Sequence, residues 1–244
     1  MPTLHHKLVL LVSILTCAIT SQAGELKSGY EFLTQSSKDM QDDEFSNPGM
    51  SDVEKGGKFF REIGVNGKNC VTCHGEDGSK FDPKSLARYP VYNSELKKPV
   101  TLQEQINICW EDQLDNVPYV YGCTDLVAME AFVRHKARGE KVKVNIDGPL
   151  KPHYEAGKKL YHTRVGQLAM SCAHCHEYNS GKKLRGQTLT QGQTNGFPEY
   201  RLGSGKMTSL HARVQECFSS LRPQPYDTGS PEPIEHDVYL KSRR

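Results

Sequence analysis

The chain has 244 residues, 31 of them basic and 29 acidic, with eight cysteines and a single tryptophan. A net charge of +2 at this length gives no mandate for nucleic acid binding. Beyond the N-terminus no segment is apolar enough to span a membrane, and the length allows either one large domain or two small ones.

The N-terminus reads MPTLHHKLVLLVSILTCAITSQAGEL, with one lysine, an apolar run from Leu8 to Ile19, and then Ser21-Gln22-Ala23. A run this short, followed by small residues at −3 and −1, predicts a secretory signal cleaved after Ala23. Cys17 offers a lipoprotein site as an alternative, but Thr16 precedes it and the apolar run continues past it. Either way the mature protein is expected outside the cytoplasm.

Residues 24–60 form an acidic stretch, eight acids against four bases. CVTCH follows, with Cys70, Cys73 and His74. C-x-x-C-H is the attachment signature of c-type haem. Two thiols a turn apart form thioethers along one porphyrin edge, and the adjacent imidazole becomes an iron ligand. Zinc would require a compact set of four ligands, and a redox C-x-x-C does not require the histidine. Cys109 comes 35 residues after His74, at the end of INIC. TDLVAMEAFVRHKARG, residues 124–139, then reads as a closing helix, with Leu126, Met129, Phe132 and Val133 at helical spacing. The polar segment RGEKVKVNIDGPLKP, 138–152, carries Gly and Pro turn signals and marks a boundary.

The pattern then repeats. GGKFFREIGVNGKNCVTCH (56–74) and AGKKLYHTRVGQLAMSCAHCH (156–176) share a Gly-Lys start, an apolar pair, a glycine and the haem motif, here Cys172, Cys175 and His176. Cys217 follows His176 by 41 residues. The expectation is a mainly α protein made of a signal peptide (1–23) and two tandem cytochrome c-type haem domains, at 24–148 and 149–244. Residues 157–222 hold ten bases and three acids, which reads either as a solvated basic face or as a site that attracts a small anion. Thr208 or Ser209 can cap a helix on which Leu210, Val214 and Phe218 form one apolar face. Arg213 and Cys217 then stand four apart on neighbouring positions, with Cys217 turned to a buried haem and Arg213 reaching toward solvent.

With Cys17 removed and four thiols used by haem, Cys109, Cys123 and Cys217 remain, an odd number that cannot all form disulfides. Met129, Met207 or His211 could supply a second iron ligand. The equivalent places of Cys109 and Cys217 in the repeat favour thiolate ligation instead. A Cys109–Cys123 disulfide is the main alternative for the first site.

These motifs resemble the SoxA family, the catalytic subunits of a c-type cytochrome complex that begins thiosulfate oxidation. The segments that carry the resemblance include ARYPVYN (87–93), INIC (106–109), GQLAMSCAHCH (166–176) and YRLGSGKMTSLHARVQEC (200–217). The Arg-x-x-x-Cys element is the most specific of them. The resemblance implies a periplasmic L-cysteine S-thiosulfotransferase with two covalent haem c groups. It makes His74 with Cys109, and His176 with Cys217, the axial pairs. Cys217, as thiolate or persulfide, would carry sulfur, and Arg213 would bind thiosulfate. The expected partners are a SoxX-type monohaem cytochrome c and the SoxYZ carrier protein. Cys123 departs from the family pattern. Two rivals stand beside this reading: a thiosulfate dehydrogenase that makes tetrathionate without a carrier, and a dihaem electron carrier with no substrate site.

Overall fold

The computed structural model describes residues 26–226 and 230–243. The predicted signal segment, including Cys17, lies outside the described residues. The chain is mainly helical, and the strands of the described residues form three two-stranded antiparallel hairpins.

After a short arm containing α1 (Gln35–Asp42), the first half runs through α2 (Met50–Arg61), α3 (Cys70–His74), α4 (Pro83–Leu86), the β1–β2 hairpin (Val91–Asn93 and Lys98–Val100), α5 (Leu102–Asp112) and α6 (Thr124–His135). The second half restates this order. It consists of α7 (Lys151–His162), α8 (Cys172–His176), a small hairpin of β3 (Lys183–Leu184) and β4 (Gln187–Thr188), the β5–β6 hairpin (Glu199–Arg201 and Lys206–Thr208), α9 (Leu210–Ser220) and α10 (Glu232–Ser242).

The two halves are closed by the same device. Helix α2 crosses α6 at Gly56, where an added Cβ would lie 2.1 Å from the Ala128 carbonyl oxygen. Helix α7 crosses α10 at Gly157, where the corresponding distance to the Glu235 carbonyl is 2.0 Å. Only a residue without a side chain lets the two backbones approach this closely.

The cores differ in character. The first gathers Phe60, Leu102, Trp110, Met129, Phe132 and Val133, with the Phe60 and Phe132 rings 5.0 Å apart. Each such side chain contributes about 1.5–3 kcal/mol by burial. Met129 is among them, as a packing residue; the closing helix read over 124–139 is present but shorter, Thr124–His135, with Lys136 as its C-cap. The second core is smaller and more polar, built on Tyr161, Ala173, Leu210, Tyr239 and Leu240. The segment between the halves is irregular, as its turn signals suggest, but it is anchored. Val144 is 2% exposed and packs with Leu150 and Val238.

The N-terminal arm ties the halves together. The Lys27 backbone N–H donates to Gln191 Oε1 at 2.6 Å, and Ser28 Oγ donates to Asn195 Oδ1 at 3.2 Å. Farther along, Met207 packs on Gly49, while His211 stands edge-on to Tyr121 with ring centroids 5.2 Å apart.

Candidate functional site

Each C-x-x-C-H segment forms a single helical turn, capped in its own way. In α3 the cap is reciprocal. Asn69 Oδ1 accepts from the Thr72 N–H at 3.2 Å, and Thr72 Oγ1 accepts from the Asn69 N–H at 3.3 Å. In α8 His174 serves the same end, its Nδ1 accepting from the Ser171 N–H at 3.1 Å. His174 is therefore a capping residue. On a helix, thiols three positions apart share one side, which puts Cys70 with Cys73 and Cys172 with Cys175.

The third cysteine of each half is set by a second helix. Thr101 caps α5, in a box closed by Glu104, and Ser209 caps α9, its Oγ accepting from the Ala212 N–H at 3.2 Å. The same offset separates Thr101 from Cys109 as Ser209 from Cys217, so the two cysteines are true structural equivalents. The expected helix over Leu210, Val214 and Phe218 is present. Each cysteine is brought near its C-x-x-C-H turn. Burial raises the Cys70 thiol to about 11, with the nearby Cys109 adding to the shift. Burial likewise raises Cys172 to about 11, with Cys217 the next cause.

Cys109 and Cys123 are not joined in a disulfide. The Cys109 sulfur instead accepts from Gln105 Nε2 at 3.4 Å. Gln105 lies four residues before Cys109, as Arg213 lies four before Cys217. Of the other ligand candidates, Met129 is in the core, Met207 is packed on Gly49, and His211 faces Tyr121.

The two C-x-x-C-H histidines are held differently. The His74 ring stacks on Phe81, with centroids 4.5 Å apart. His176 Nδ1 lies 2.9 Å from the Thr190 carbonyl oxygen, the partner that fixes the tautomer and leaves Nε2 for a metal. Gly192, at φ +72°, brings the chain against the His176 ring, where an added Cβ would sit 3.1 Å from Cγ. Burial lowers both histidines below the usual range, which favours the neutral, ligating form.

Around Cys217 the surroundings are ionic. Arg213 Nη1 donates to Glu216 Oε2 at 2.9 Å, and Arg201 Nη1 donates to the same oxygen. Arg213 was expected to reach into solvent; it is held back by this ion pair, and its side chain is 30% exposed. Burial raises the Cys217 thiol, Arg213 opposes that shift, and Glu216 and Arg201 act more weakly in opposite senses. Glu199, two residues before Arg201 on β5, is raised by burial and opposed by the same two guanidiniums. Sequence reasoning counted Arg201, Glu199 and Glu216 only as charges. Their convergence depends on the β5–β6 hairpin lying beside α9, although the three-residue step from Arg213 to Glu216 was a usable signal.

Both sites have the donor set for c-type haem: two thiols one turn apart, a neutral imidazole beside them, and a further sulfur close by. The second also leaves polar atoms for a bound group. The Tyr161 hydroxyl, in the cluster that includes Cys172, is buried without a protein partner, as are Thr194 Oγ1 and His236 Nδ1. Among the described residues, no group of His, Cys, Asp and Glu forms a ready metal cage, and no helix is long and apolar enough to cross a membrane.

The SoxA/TsdA cytochrome c domain family matches residues 55–142, so covalent haem c belongs to this chain. An L-cysteine S-thiosulfotransferase subunit SoxA from Pseudaminobacter salicylatoxidans is 36% identical over 88% of this chain and 76% of its own length. The protein of that name from Rhodovulum sulfidophilum is 36% identical over 90% of this chain and 76% of its own length. A chain in the crystal structure of SoxXA from P. pantotrophus superposes with a TM-score of 0.82 at 34% identity, covering 89% of this chain and 82% of that one.

Proposed function

The chain belongs to the SoxA family of L-cysteine S-thiosulfotransferase subunits, and from that premise we propose that it couples thiosulfate to a carrier-protein cysteine at Cys217. The reaction joins the carrier thiol to the outer sulfur of thiosulfate, forming a thiocysteine-S-sulfonate. One proton and two electrons are released per bond formed.

The supporting observation is the juxtaposition of Cys217 with Arg213 in a half whose twin carries Gln105 at the arginine's place. Arg213 offers charge-assisted hydrogen bonds to the sulfonate end of the substrate. Cys217, as thiolate or persulfide, holds sulfur. Its surroundings act against each other: burial favours the neutral thiol, while the arginines favour the charged form. The Thr190 carbonyl orients the His176 imidazole and leaves its Nε2 free to hold a metal.

Two haem c groups complete the assignment. Cys70 and Cys73 would hold the first, with His74 and Cys109 offering ligands to its iron. Cys172 and Cys175 would hold the second, with His176 and Cys217. When bound, haem supplies one-electron acceptor capacity at a potential that thiolate ligation lowers relative to methionine. Two electrons from one reaction therefore call for a further acceptor, and a SoxX-type monohaem cytochrome c is the partner that fits. The carrier is of the SoxYZ type. The division at 148/149 follows the repeat of elements, and cleavage after Ala23 places the mature protein in the periplasm.

The test is thiosulfate-dependent cytochrome reduction by the haem-loaded complex with the carrier protein present. Turnover should vanish in Cys217→Ser. Tetrathionate formed without the carrier would favour a dehydrogenase instead.

A further inference from the structure

One oxygen atom, Glu216 Oε2, receives Nη1 of both Arg201 and Arg213. Two guanidiniums on different elements, the β5 strand and helix α9, thus converge on a single anionic oxygen beside Cys217. The exposures differ. The Arg201 side chain is 17% exposed and that of Arg213 30%, whereas Glu216 is 58% exposed. The arginines are the more buried partners, and the carboxylate has room to swing away. Glu199, on the same face of β5 as Arg201 by strand periodicity, supplies a second acid to the cluster.

We propose that Arg201 and Arg213 together form the receptor for the anionic substrate, and that Glu216 occupies this receptor in the resting protein. A sulfonate oxygen would then take the place of the Glu216 oxygen between the two guanidiniums, and Glu216 would rotate into solvent. This rests on the assignment of Cys217 and Arg213 given above, and it adds two roles. Arg201 touches substrate directly. Glu216 acts only through the arginines, as a competitor that a bound anion must displace.

The two roles predict kinetic effects of opposite sign in the haem-loaded complex. Arg201→Gln removes one charge-assisted contact and should raise the KM for thiosulfate about tenfold or more, with a smaller change in kcat. Arg201→Lys keeps the charge but not the fork, and should recover part of that loss. Glu216→Gln removes the competing charge and should lower KM severalfold. Sulfate, used as an unreactive probe, should follow KM in each variant, inhibiting Arg201→Gln less and Glu216→Gln more than the parent. Haem content and absorption spectra, unchanged in all three, show that the fold survives. If Arg201→Gln folds poorly, the Lys variant and the exposed Glu216→Gln still decide the matter.

An unchanged KM in Arg201→Gln, or a raised KM in Glu216→Gln, would overturn the proposal. Arg213→Gln, measured alongside, separates this failure from a deeper one. If it raises KM while Arg201→Gln does not, the site at Cys217 stands and the shared receptor falls. If neither does, both fall.

Discussion

The two halves carry the same scaffold with different occupants at one decisive position. In the first, Gln105 donates a neutral hydrogen bond to Cys109, and the adjoining core is aromatic, with Phe60, Phe81 and Trp110. In the second, Arg213 takes the equivalent place, Arg201 and Glu216 add charge around the sulfur, and Glu199 faces the same two guanidiniums. All the buried side-chain atoms left without a partner among the described residues also lie there, from Tyr161 to Asp237. A duplicated fold has thus kept the geometry that presents a sulfur near a C-x-x-C-H turn in both copies. Only one copy has spent stability on polar groups that a substrate or cofactor can satisfy. In the other, a neutral amide, Gln105, stands at the arginine's place.

The sharpest way to break this contrast is to remove each sulfur in turn. Cys217→Ser should cost about 10³-fold or more in turnover, as loss of a reacting nucleophile does. Cys109→Ser should leave turnover of the haem-loaded complex within severalfold of the parent. Equal losses in the two variants would erase the distinction. Next in size is Arg213→Gln, which gives the second half the first half's residue and should lower kcat/KM about 10- to 100-fold, the worth of a charge-assisted contact. The reverse exchange, Gln105→Arg in a Cys217→Ser background, should not restore turnover, because the first half has no counterpart of the Arg201–Glu216 pair.

Other substitutions sharpen the likeness instead. Gly56→Ala and Gly157→Ala should destabilise the protein by similar amounts, at least about 1–3 kcal/mol each, since each forces a methyl into a carbonyl about 2 Å away. Calorimetric unfolding of the haem-loaded protein measures both, and a clear inequality would show that the helix crossings are not equivalent. The smallest effects are at the caps. Thr101→Ala and Ser209→Ala should each cost about 1 kcal/mol, with Ser209→Ala also loosening the helix that presents Cys217.

Much of this was legible in the sequence, for identifiable reasons. The C-x-x-C-H turns are local, and their spacing alone carries the chemistry. Helix α9 follows from a cap and a four-residue apolar repeat, and Met129 reads as core from its neighbours at helical spacing. The resemblance to the SoxA family drew attention to Arg213, Cys109 and Cys217. What escaped was tertiary. Arg201 reaches Glu216, next to Cys217, only because a hairpin packs beside a helix, and no local pattern announces that. The Thr190 carbonyl is backbone, so no residue identity could flag it. Gln105 was readable in principle, since the register that equates Cys109 with Cys217 also equates Gln105 with Arg213. The Cys109–Cys123 alternative is not what the structure shows: the two thiols are unbonded, Cys109 meets Gln105, and Cys123 precedes α6 as its N-cap.

The central claim is that sulfur from Cys217 serves the C-terminal haem iron. Low-temperature electron paramagnetic resonance of the oxidised protein tests it most directly, with haem counted on the same sample and on Cys217→Ser. Two haems per chain, with a low-spin thiolate signal that disappears in Cys217→Ser, is the predicted result. A signal unchanged by that substitution, or one typical of methionine or bis-histidine ligation at the second iron, would contradict it.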